Sequence, residues 1–179
     1  MKILEVKPNV FVFDNEEYGS NSGWIKTDEG VVVIDTGLKP EGIETALAEG
    51  GITPANVTLV INTHADGDHV GGNALFNCPI MAHKTTLDRM SAGRMKKANL
   101  PTQTFTEDTT IQFGRVEIFL QHKGGHKPDE IIVWLPETKV LFTGDLVFQG
   151  RYPFMVSSYV PDWIRALEDL KAFDADVIV

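Results

Sequence analysis

Cysteine is nearly absent from this sequence: Cys78 is the only one among 179 residues. A single thiol cannot form an internal disulfide bond, which excludes the small disulfide-stapled folds of secreted proteins. The first five residues, MKILE, contain an acidic side chain and no long apolar core, so we predict no secretory signal there. We therefore expect a cytoplasmic location.

Long hydrophobic runs are also missing. No apolar stretch approaches the ~20 residues needed to cross a bilayer, so we expect no membrane partner. Hydrophobic residues make up 42% of the chain and charged residues 23%, as is usual for a protein that buries a core. Because no linker or low-complexity segment interrupts the chain, we predict one domain over residues 1–179.

Positive charge is scarce, with 16 Lys and Arg against 25 Asp and Glu and a net charge of −9. This balance argues against a nucleic-acid partner, because the phosphate backbone attracts basic surfaces. The nearest approach to a basic cluster is Arg89, Arg94, Lys96 and Lys97. We interpret it as a solvated helix face, with contact to an anionic substrate as the alternative.

Short apolar runs rich in β-branched and aromatic residues, separated by Gly, Asp and Asn, predict strands. The predicted strands are residues 9–14, 24–27, 31–35, 57–62, 79–82, 109–113, 116–121, 130–135, 139–143 and 177–179. They form two series along the chain with helices between them. This order predicts two packed sheets with helices on the outside.

Three segments have helical patterns. Residues 40–49 place Ile43, Ala46 and Leu47 at helical spacing, and the polar residues 84–99 are expected to form a helix that ends before Pro101. A last helix begins at Pro161-Asp162. Its apolar face is predicted to consist of Trp163, Ala166, Leu167, Leu170 and Phe173.

The most informative segment is residues 64–69, HADGDH, directly after the predicted strand 57–62. If that strand continues to His64, then His64 and Asp66 lie on one side of it. Gly67 permits a sharp change of direction, and Asp68 and His69 follow in the first turn of a helix. The segment can thus present two pairs of imidazole and carboxylate ligands, the donors of catalytic divalent metals. A capped helix start is the alternative, but two adjacent Asp/His pairs exceed what a cap requires.

Further ligands must come from elsewhere in the chain. His126 lies in a turn after two glycines, where functional side chains gather, and His122 is a nearby rival. His83 follows a strand and is expected to be packed or exposed instead of ligating. Asp145 follows the strand 139–143 and Gly144, where a carboxylate can bridge two ions or merely belong to a turn.

Residues 62–73, NTHADGDHVGGN, resemble the metal-binding signature of the metallo-β-lactamase superfamily, usually His-x-His-x-Asp-His before a helix of small residues. Residues 31–37, 125–126 and 142–145 match other family segments in the same order, and the resemblance extends from about residue 9 to the end. It implies an α+β fold, a four-layer αβ/βα sandwich with metals in a cleft between the sheet edges. Family members are mostly hydrolases of amides, thioesters, lactones, phosphodiesters and sulfates, and some are iron oxygenases or diiron reductases.

The resemblance also implies roles for individual residues. Asp68 would orient the attacking hydroxide, and Asp35 would be a structural residue beside the ligands. The implied ligands are His64, Asp66 and His126 for a first metal, Asp68 and His69 for a second, and Asp145 shared between them.

The sequence departs from the family pattern at three points. Asp66 replaces the usual His, so a third carboxylate lowers the charge of the centre by one and favours iron or manganese as alternatives to zinc. Lys127 stands where Thr is more common after His126. The family's last ligand, a His in a Gly-His pair, would follow a strand such as 177–179, and no such pair follows Val179. We therefore expect the C-terminal part of the fold and the second metal site to be incomplete, and the first metal to bind more tightly.

These observations predict a hydrolase that uses one or two divalent metal ions to attack an ester, thioester, lactone, amide or phosphodiester in a small-molecule substrate. Tyr152, Phe154 and residues 84–99 are expected to form the pocket wall, although Phe154 fits a core position equally well. A β-lactam is not the expected substrate, and the fold by itself does not determine which substrate is used. The alternatives are a non-haem iron oxygenase or diiron protein, and a non-catalytic metal-binding domain.

Overall fold

In a computed structural model of the chain, which describes residues 2–14 and 20–179, the strands form two sheets. The first sheet contains seven strands in sequential order, antiparallel from β1 to β4 and parallel from β4 to β7. These strands are β1 (Lys2–Lys7), β2 (Val10–Asp14), β3 (Asn21–Thr27), β4 (Gly30–Ile34), β5 (Val57–Ile61), β6 (Ile80–His83) and β7 (Gln103–Phe105).

The second sheet is built entirely from the later part of the chain, in the order β12-β11-β10-β9-β8. Its neighbours are antiparallel except for β11 and β12, which are parallel. Its strands are β8 (Thr109–Phe113), β9 (Val116–His122), β10 (Ile131–Leu135), β11 (Val140–Phe142) and β12 (Val177–Ile178).

The α-helices of the described residues are α1 (Pro40–Glu49), α2 (Gly67–Val70), α3 (Lys84–Ala92) and α4 (Val160–Leu170). A proline in the first turn starts both α1 and α4, where its missing N–H costs no hydrogen bond. None of these helices is long and apolar enough to span a bilayer.

Three of the four apolar clusters in the described residues define the layers, and the small fourth one packs Ala65 and Val70 against Met90 of α3. One lies between the sheets and includes Val32, Leu120 and Val133. A second packs α1 on the outer face of the first sheet, and a third packs α4 on the outer face of the second. Each fully buried aliphatic side chain contributes about 1.5–3 kcal/mol, so the cores hold the layers together. The expected four-layer αβ/βα sandwich is confirmed.

Some predicted elements differ from those in the structure. The helix predicted over residues 84–99 ends at Ala92, because Gly93 caps it and Arg94 adopts a left-handed φ of 58°. Leu167, predicted on the buried face of α4, is 39% exposed, whereas Trp163, Ala166 and Leu170 are buried. Strands β1 and β7 were not predicted, since β1 mixes charged and apolar residues and β7 has only three residues.

The segments that carry the predicted metal ligands meet at one end of the sandwich. The parallel strands β4 and β5 end side by side, and the motif loop follows β5. The amide of Ile131, which begins β10, donates to the carbonyl of Thr63 at 3.0 Å and so joins the second sheet to this loop. The loop is therefore held between the two sheets.

Gly71, just after α2, supports this arrangement by close packing. A Cβ at Gly71 would lie 1.9 Å from the carbonyl oxygen of Leu38, a backbone atom that cannot rotate away. We expect Gly71→Ala to lower the free energy of unfolding by about 1–3 kcal/mol, the usual cost of overpacking. Chemical denaturation would measure this loss.

The matched control is Gly42→Ala in α1, where an added Cβ would meet nothing within 4 Å. Alanine is the better helix former by up to ~1 kcal/mol, so this variant should be neutral or slightly more stable. Equal unfolding midpoints for the two variants would contradict the proposed close packing at Gly71.

Candidate metal centre

Asp35, at the end of β4, anchors both ends of the motif loop. Its buried carboxylate accepts hydrogen bonds from the Thr63 amide at 2.8 Å and the Thr63 hydroxyl at 2.7 Å, and it lies 2.8 Å from Nδ1 of His69. Because Nδ1 of His69 is engaged, Nε2 is the nitrogen left to face the cleft. Asp35 thus orients a predicted ligand, as a partner of metal-binding imidazoles commonly does.

Glu130 orients His64 in the same way. Its buried carboxylate oxygen Oε1 lies 3.1 Å from Nδ1 of His64 and also accepts the amide of Asp145 at 3.1 Å. Nε2 of His64 is therefore the nitrogen left to face the cleft. By contacting Nδ1, Glu130 and Asp35 leave Nε2 available on the rings of His64 and His69.

Imidazole nitrogens without hydrogen bonds are concentrated at this point. Within the described part of the chain, Nε2 of His64, His69 and His126 is buried and has no hydrogen-bond partner, and the same is true of Nδ1 of His126. The His64 ring centre lies 4.1 Å from that of His69 and 5.6 Å from that of His126. Leaving a buried polar group unsatisfied costs about 1–3 kcal/mol, and three together indicate a bound cation.

The carboxylates face these nitrogens at distances suited to a shared metal. Two ligand atoms that each lie ~2.1 Å from a tetrahedral ion are separated by roughly 3.4 Å. Oδ2 of Asp66 lies 3.8 Å from Nε2 of His64 and 3.7 Å from Nε2 of His126. Oδ2 of Asp68 lies 3.8 Å from Nε2 of His69. The residues present fit a divalent metal.

Asp145 faces both halves of this cluster. Its Oδ1 lies 3.2 Å from Nε2 of His69, and its Oδ2 lies 3.4 Å from Nε2 of His126. This is the arrangement expected of a shared ligand. The structure thus brings all six predicted ligands together, while their assignment to individual ions stays a prediction.

Ligand atoms within 4.8 Å of one another also define two groups of three: His64 with His126 and Glu130, and His64 with His69 and Asp145. In the first group, however, Glu130 contacts Nδ1 of His64, whereas the unpartnered atom is Nε2. We therefore interpret Glu130 as the residue that orients His64 and not as a ligand.

Asp66 does not cap a helix. It is the N-cap residue of α2, but its carboxylate accepts no capping hydrogen bond within the described residues. Its Oδ1 instead accepts a hydrogen bond from Arg89 at 3.0 Å, and Lys127 Nζ lies 3.4 Å from its Oδ2. The alternative of a capped helix start therefore fails for this residue.

Arg94, Lys96 and Lys97 of the basic cluster are exposed, whereas the Arg89 side chain is only 31% exposed and forms ion pairs. Its guanidinium, on α3, bridges Asp66 and the buried Asp129. A charge count based on ligands alone therefore omitted two cations, Arg89 and Lys127. Burial raises the pKa of Asp66, but its contacts with His126, His64 and these cations hold it well below its usual range.

The carboxylates and imidazoles of the cleft shift one another's pKa values in opposite directions. Burial raises the pKa of Asp145, but its interaction with His69 and the neighbouring imidazoles lowers it to about 2. Burial lowers the pKa of His69, yet Asp35 and Asp145 raise it well above its ordinary value. These carboxylates attract a cation, whether a proton on the imidazole or a metal ion.

The two other histidines lie outside the centre. His83 and His122 stack on each other with ring centres 4.1 Å apart. His83 Nδ1 contacts the Thr85 hydroxyl at 2.6 Å, and His122 Nε2 contacts the Pro128 carbonyl at 2.8 Å. Neither belongs to a group of three ligands among the described residues.

A cavity of about 460 Å³ adjoins the cluster, and its lining includes His69, Asp145 and Phe148. The predicted wall residue Tyr152 is 97% exposed, so it projects into solvent. Phe154 is 56% exposed, which excludes the core position, and its ring centre lies 6.4 Å from that of His126. Trp163 packs edge-on against His126 at 5.4 Å. From residues 84–99, Arg89 contacts Asp66, but the lining of this cavity includes none of the predicted wall residues.

Sequence reasoning overlooked Glu130, Asp129 and the role of Lys127. One signal was available: two consecutive acids precede the wholly apolar strand 131–135, directly after the turn that carries His126. Acids at that position can be buried only with partners. Their partners are His64 for Glu130 and Arg89 for Asp129.

Comparisons with known proteins agree with this architecture. The family model of the metallo-beta-lactamase superfamily matches residues 15–179. A metallo-beta-lactamase type 2 from Bacillus sp. (strain 170) is 32% identical over 188 residues, covering 95% of this chain and 70% of that protein. Another from Elizabethkingia meningoseptica is 29% identical, covering 96% and 73%. A solved structure, a metallo-beta-lactamase from Pontibacter korlensis, is similar in fold, with a TM-score of 0.86, 24% identity and coverage of 99% and 89%.

The ligand assignment can be tested by alanine substitutions. We expect His64→Ala or His126→Ala to abolish retention of the first metal, because each removes one of the unpartnered Nε2 atoms. His83→Ala and His122→Ala should retain it. Elemental analysis of protein purified without chelator or added metal would measure the content. Loss of metal in His122→Ala but not in His126→Ala would show that the assignment is wrong.

The orienting role of Glu130 predicts a milder effect. Glu130→Gln keeps the size of the side chain but removes the charge that faces Nδ1 of His64. Metal affinity should fall about 10–100-fold, the usual effect of losing such a partner. Competition with a chromophoric chelator would measure it, with the exposed Glu137→Gln as control. Unchanged affinity would mean that Glu130 serves packing alone.

Proposed function

Because the chain belongs to the metallo-beta-lactamase superfamily, a family of metal-dependent hydrolases, we propose that it hydrolyses a small-molecule substrate, with the amide of a β-lactam as the first candidate. One observation carries the proposal. The buried Nε2 atoms of His64, His69 and His126 have no hydrogen-bond partner in the described residues and face three carboxylates in a cleft.

The predicted ligands define positions for two metal ions. His64, Asp66 and His126 would hold one ion, Asp68 and His69 a second, and Asp145 would face both. A divalent ion held there supplies hydroxide at neutral pH by lowering the pKa of water, and it polarises the bond under attack. Zinc is the first candidate, with iron and manganese as alternatives, because carboxylate ligands accept harder ions.

The chain's own residues supply orientation and a proton acceptor. Asp35 and Glu130 fix the His69 and His64 rings from behind, so their Nε2 atoms need no rearrangement. The Asp68 side chain is 34% exposed at the edge of the cluster. Its carboxylate is therefore accessible to accept a hydrogen bond from the attacking water and to hold that water toward the substrate.

The space beside the cluster suits a small molecule. The cavity of about 460 Å³ lies within the range of roughly 300–1,000 Å³ that is usual for small-ligand sites. The excess of acidic residues supports the view that nucleic acid is not the partner. In contrast to the expectation from the sequence, the curated relatives named as metallo-beta-lactamases support a β-lactam amide as the first substrate to test. Lactones, esters, thioesters and phosphodiesters are the other substrate classes to test.

Turnover by metal-loaded protein on this panel tests the proposal. Asp68→Asn should lower kcat about 10²–10⁴-fold, because it removes the proposed proton acceptor. The matched control is Asp88→Asn, an exposed aspartate on α3 that pairs with Lys84 and should leave kcat unchanged.

Two results would contradict the proposal. Full metal loading without turnover of any substrate would favour a non-catalytic metal-binding domain. Bound iron with oxygen consumption would favour an oxygenase or diiron protein on the same scaffold.

A further inference from the structure

The Asp66 carboxylate is held between two cations. Oδ1 accepts a hydrogen bond from Arg89 at 3.0 Å, and Oδ2 lies 3.4 Å from Lys127 Nζ. The same Oδ2 faces Nε2 of His64 and His126. Oδ1 thus holds the carboxylate in place through Arg89. Oδ2 faces both the Lys127 ammonium group and the imidazole nitrogens of the predicted metal site.

Lys127 occupies a buried and well-defined position. The residue is 4% exposed, its Nζ donates to the carbonyl of Val156 at 2.6 Å, and it lies 5.2 Å from the centre of the Phe154 ring. Among the described residues, Asp66 is the carboxylate with which it forms an ion pair. Because it is buried, Lys127 does not serve as a surface site for anionic substrates.

Arg89 cannot take over this role. Its guanidinium is already bound to Asp129, and it reaches Asp66 at the oxygen that points away from the imidazoles. Asp129 in turn accepts the amide of Ala65 at 2.9 Å, which fixes the pair to the motif loop. Arg89 and Asp129 therefore balance each other, and Lys127 is left as the charge partner of Asp66.

We propose that Lys127 is a positioning residue of the metal centre that acts through Asp66: it neutralises this carboxylate and thereby sets the affinity of the first site for a divalent cation. With Lys127 present, the pair Asp66 and Lys127 is neutral, as a single histidine at position 66 would be. The additional carboxylate therefore does not make the centre more negative. The proposal rests on the proposed metal centre but on no particular substrate.

This arrangement has opposite consequences for stability and for metal binding. Without Lys127, the metal-free protein buries a carboxylate with one cation fewer, so it becomes less stable. The same loss removes a positive charge a few ångströms from the position of a divalent ion, so the ion binds more tightly. General structural damage would instead lower both the stability of the protein and its affinity for the metal ion.

The decisive variant is Lys127→Met, which keeps the apolar stem and removes the charge. We expect the melting temperature measured in chelator to fall, and the dissociation constant for zinc, measured by competition, to decrease at least tenfold. Lys127→Arg should restore both values toward those of the parent. Should Lys127→Met fail to fold, Lys127→Gln provides a second neutral side chain that can still donate to the Val156 carbonyl.

The matched control is Lys123→Met. Lys123 is also largely buried, with an 8% exposed side chain, but it pairs with Asp169 and contacts no predicted ligand in the described residues. Its loss should leave the zinc dissociation constant unchanged. An increase in that constant for Lys127→Met, parallel to its loss of stability, would overturn the proposal.

A double-mutant cycle in metal-free protein tests the pair directly. Asp66→His leaves Lys127 buried without its carboxylate, so adding Lys127→Met to that variant should raise its melting temperature, the reverse of its effect in the parent. Additive effects of the two substitutions would overturn the proposal. Because this cycle requires no metal, it tests the pair of Asp66 and Lys127 by itself. A parent that binds no metal would refute the effect on metal affinity together with the metal centre, whereas metal binding without turnover would refute the proposed function alone.

Discussion

A buried carboxylate at the end of β4 accepts hydrogen bonds from both ends of the loop that carries the metal-binding motif. Asp35 adopts a left-handed φ of 56°, a conformation that costs a non-glycine residue about 1–3 kcal/mol. Each hydrogen bond to a charged group contributes about 1.5–3 kcal/mol, and Asp35 engages Thr63 twice and His69 once. The contacts outweigh the strain. They fix the loop that carries four of the six predicted ligands.

The surroundings of the loop form a nearly complete polar network. Glu130 is paired with His64, and Asp129 with Arg89, so the buried acids behind the centre have partners. Such networks are stable only when each member is satisfied. Among the described residues of this network, the atoms without a partner are Nε2 of the three cleft histidines, Nδ1 of His126 and Oε2 of Glu130. The concentration of three Nε2 atoms at one point distinguishes a functional centre from an ordinary buried network.

The sequence indicated two packed sheets, and its resemblance to the metallo-β-lactamase superfamily implied the full sandwich and the set of six predicted ligands. Residue spacing alone brought together only the four of them within residues 64–69; it left His122 as a rival of His126, and Asp145 as a bridging ligand or a turn residue. The contacts of Asp66 with Arg89 and Lys127 join distant segments, and no periodic pattern encodes them. For the same reason, the charge of the centre could not be obtained by counting ligands.

The division of the chain between the sheets has a consequence for assembly. Residues 2–105 supply the first sheet and residues 109–178 the second, while the centre takes His64, Asp66, Asp68 and His69 from one part and His126 and Asp145 from the other. Neither part holds a complete ligand set, so the centre can form only after the two parts have docked. Bringing such distant segments together costs loop-closure entropy before their contacts add stability. A metal ion held by the predicted ligands would therefore stabilise the docked state by mass action, and it would do so at the junction of the two sheets.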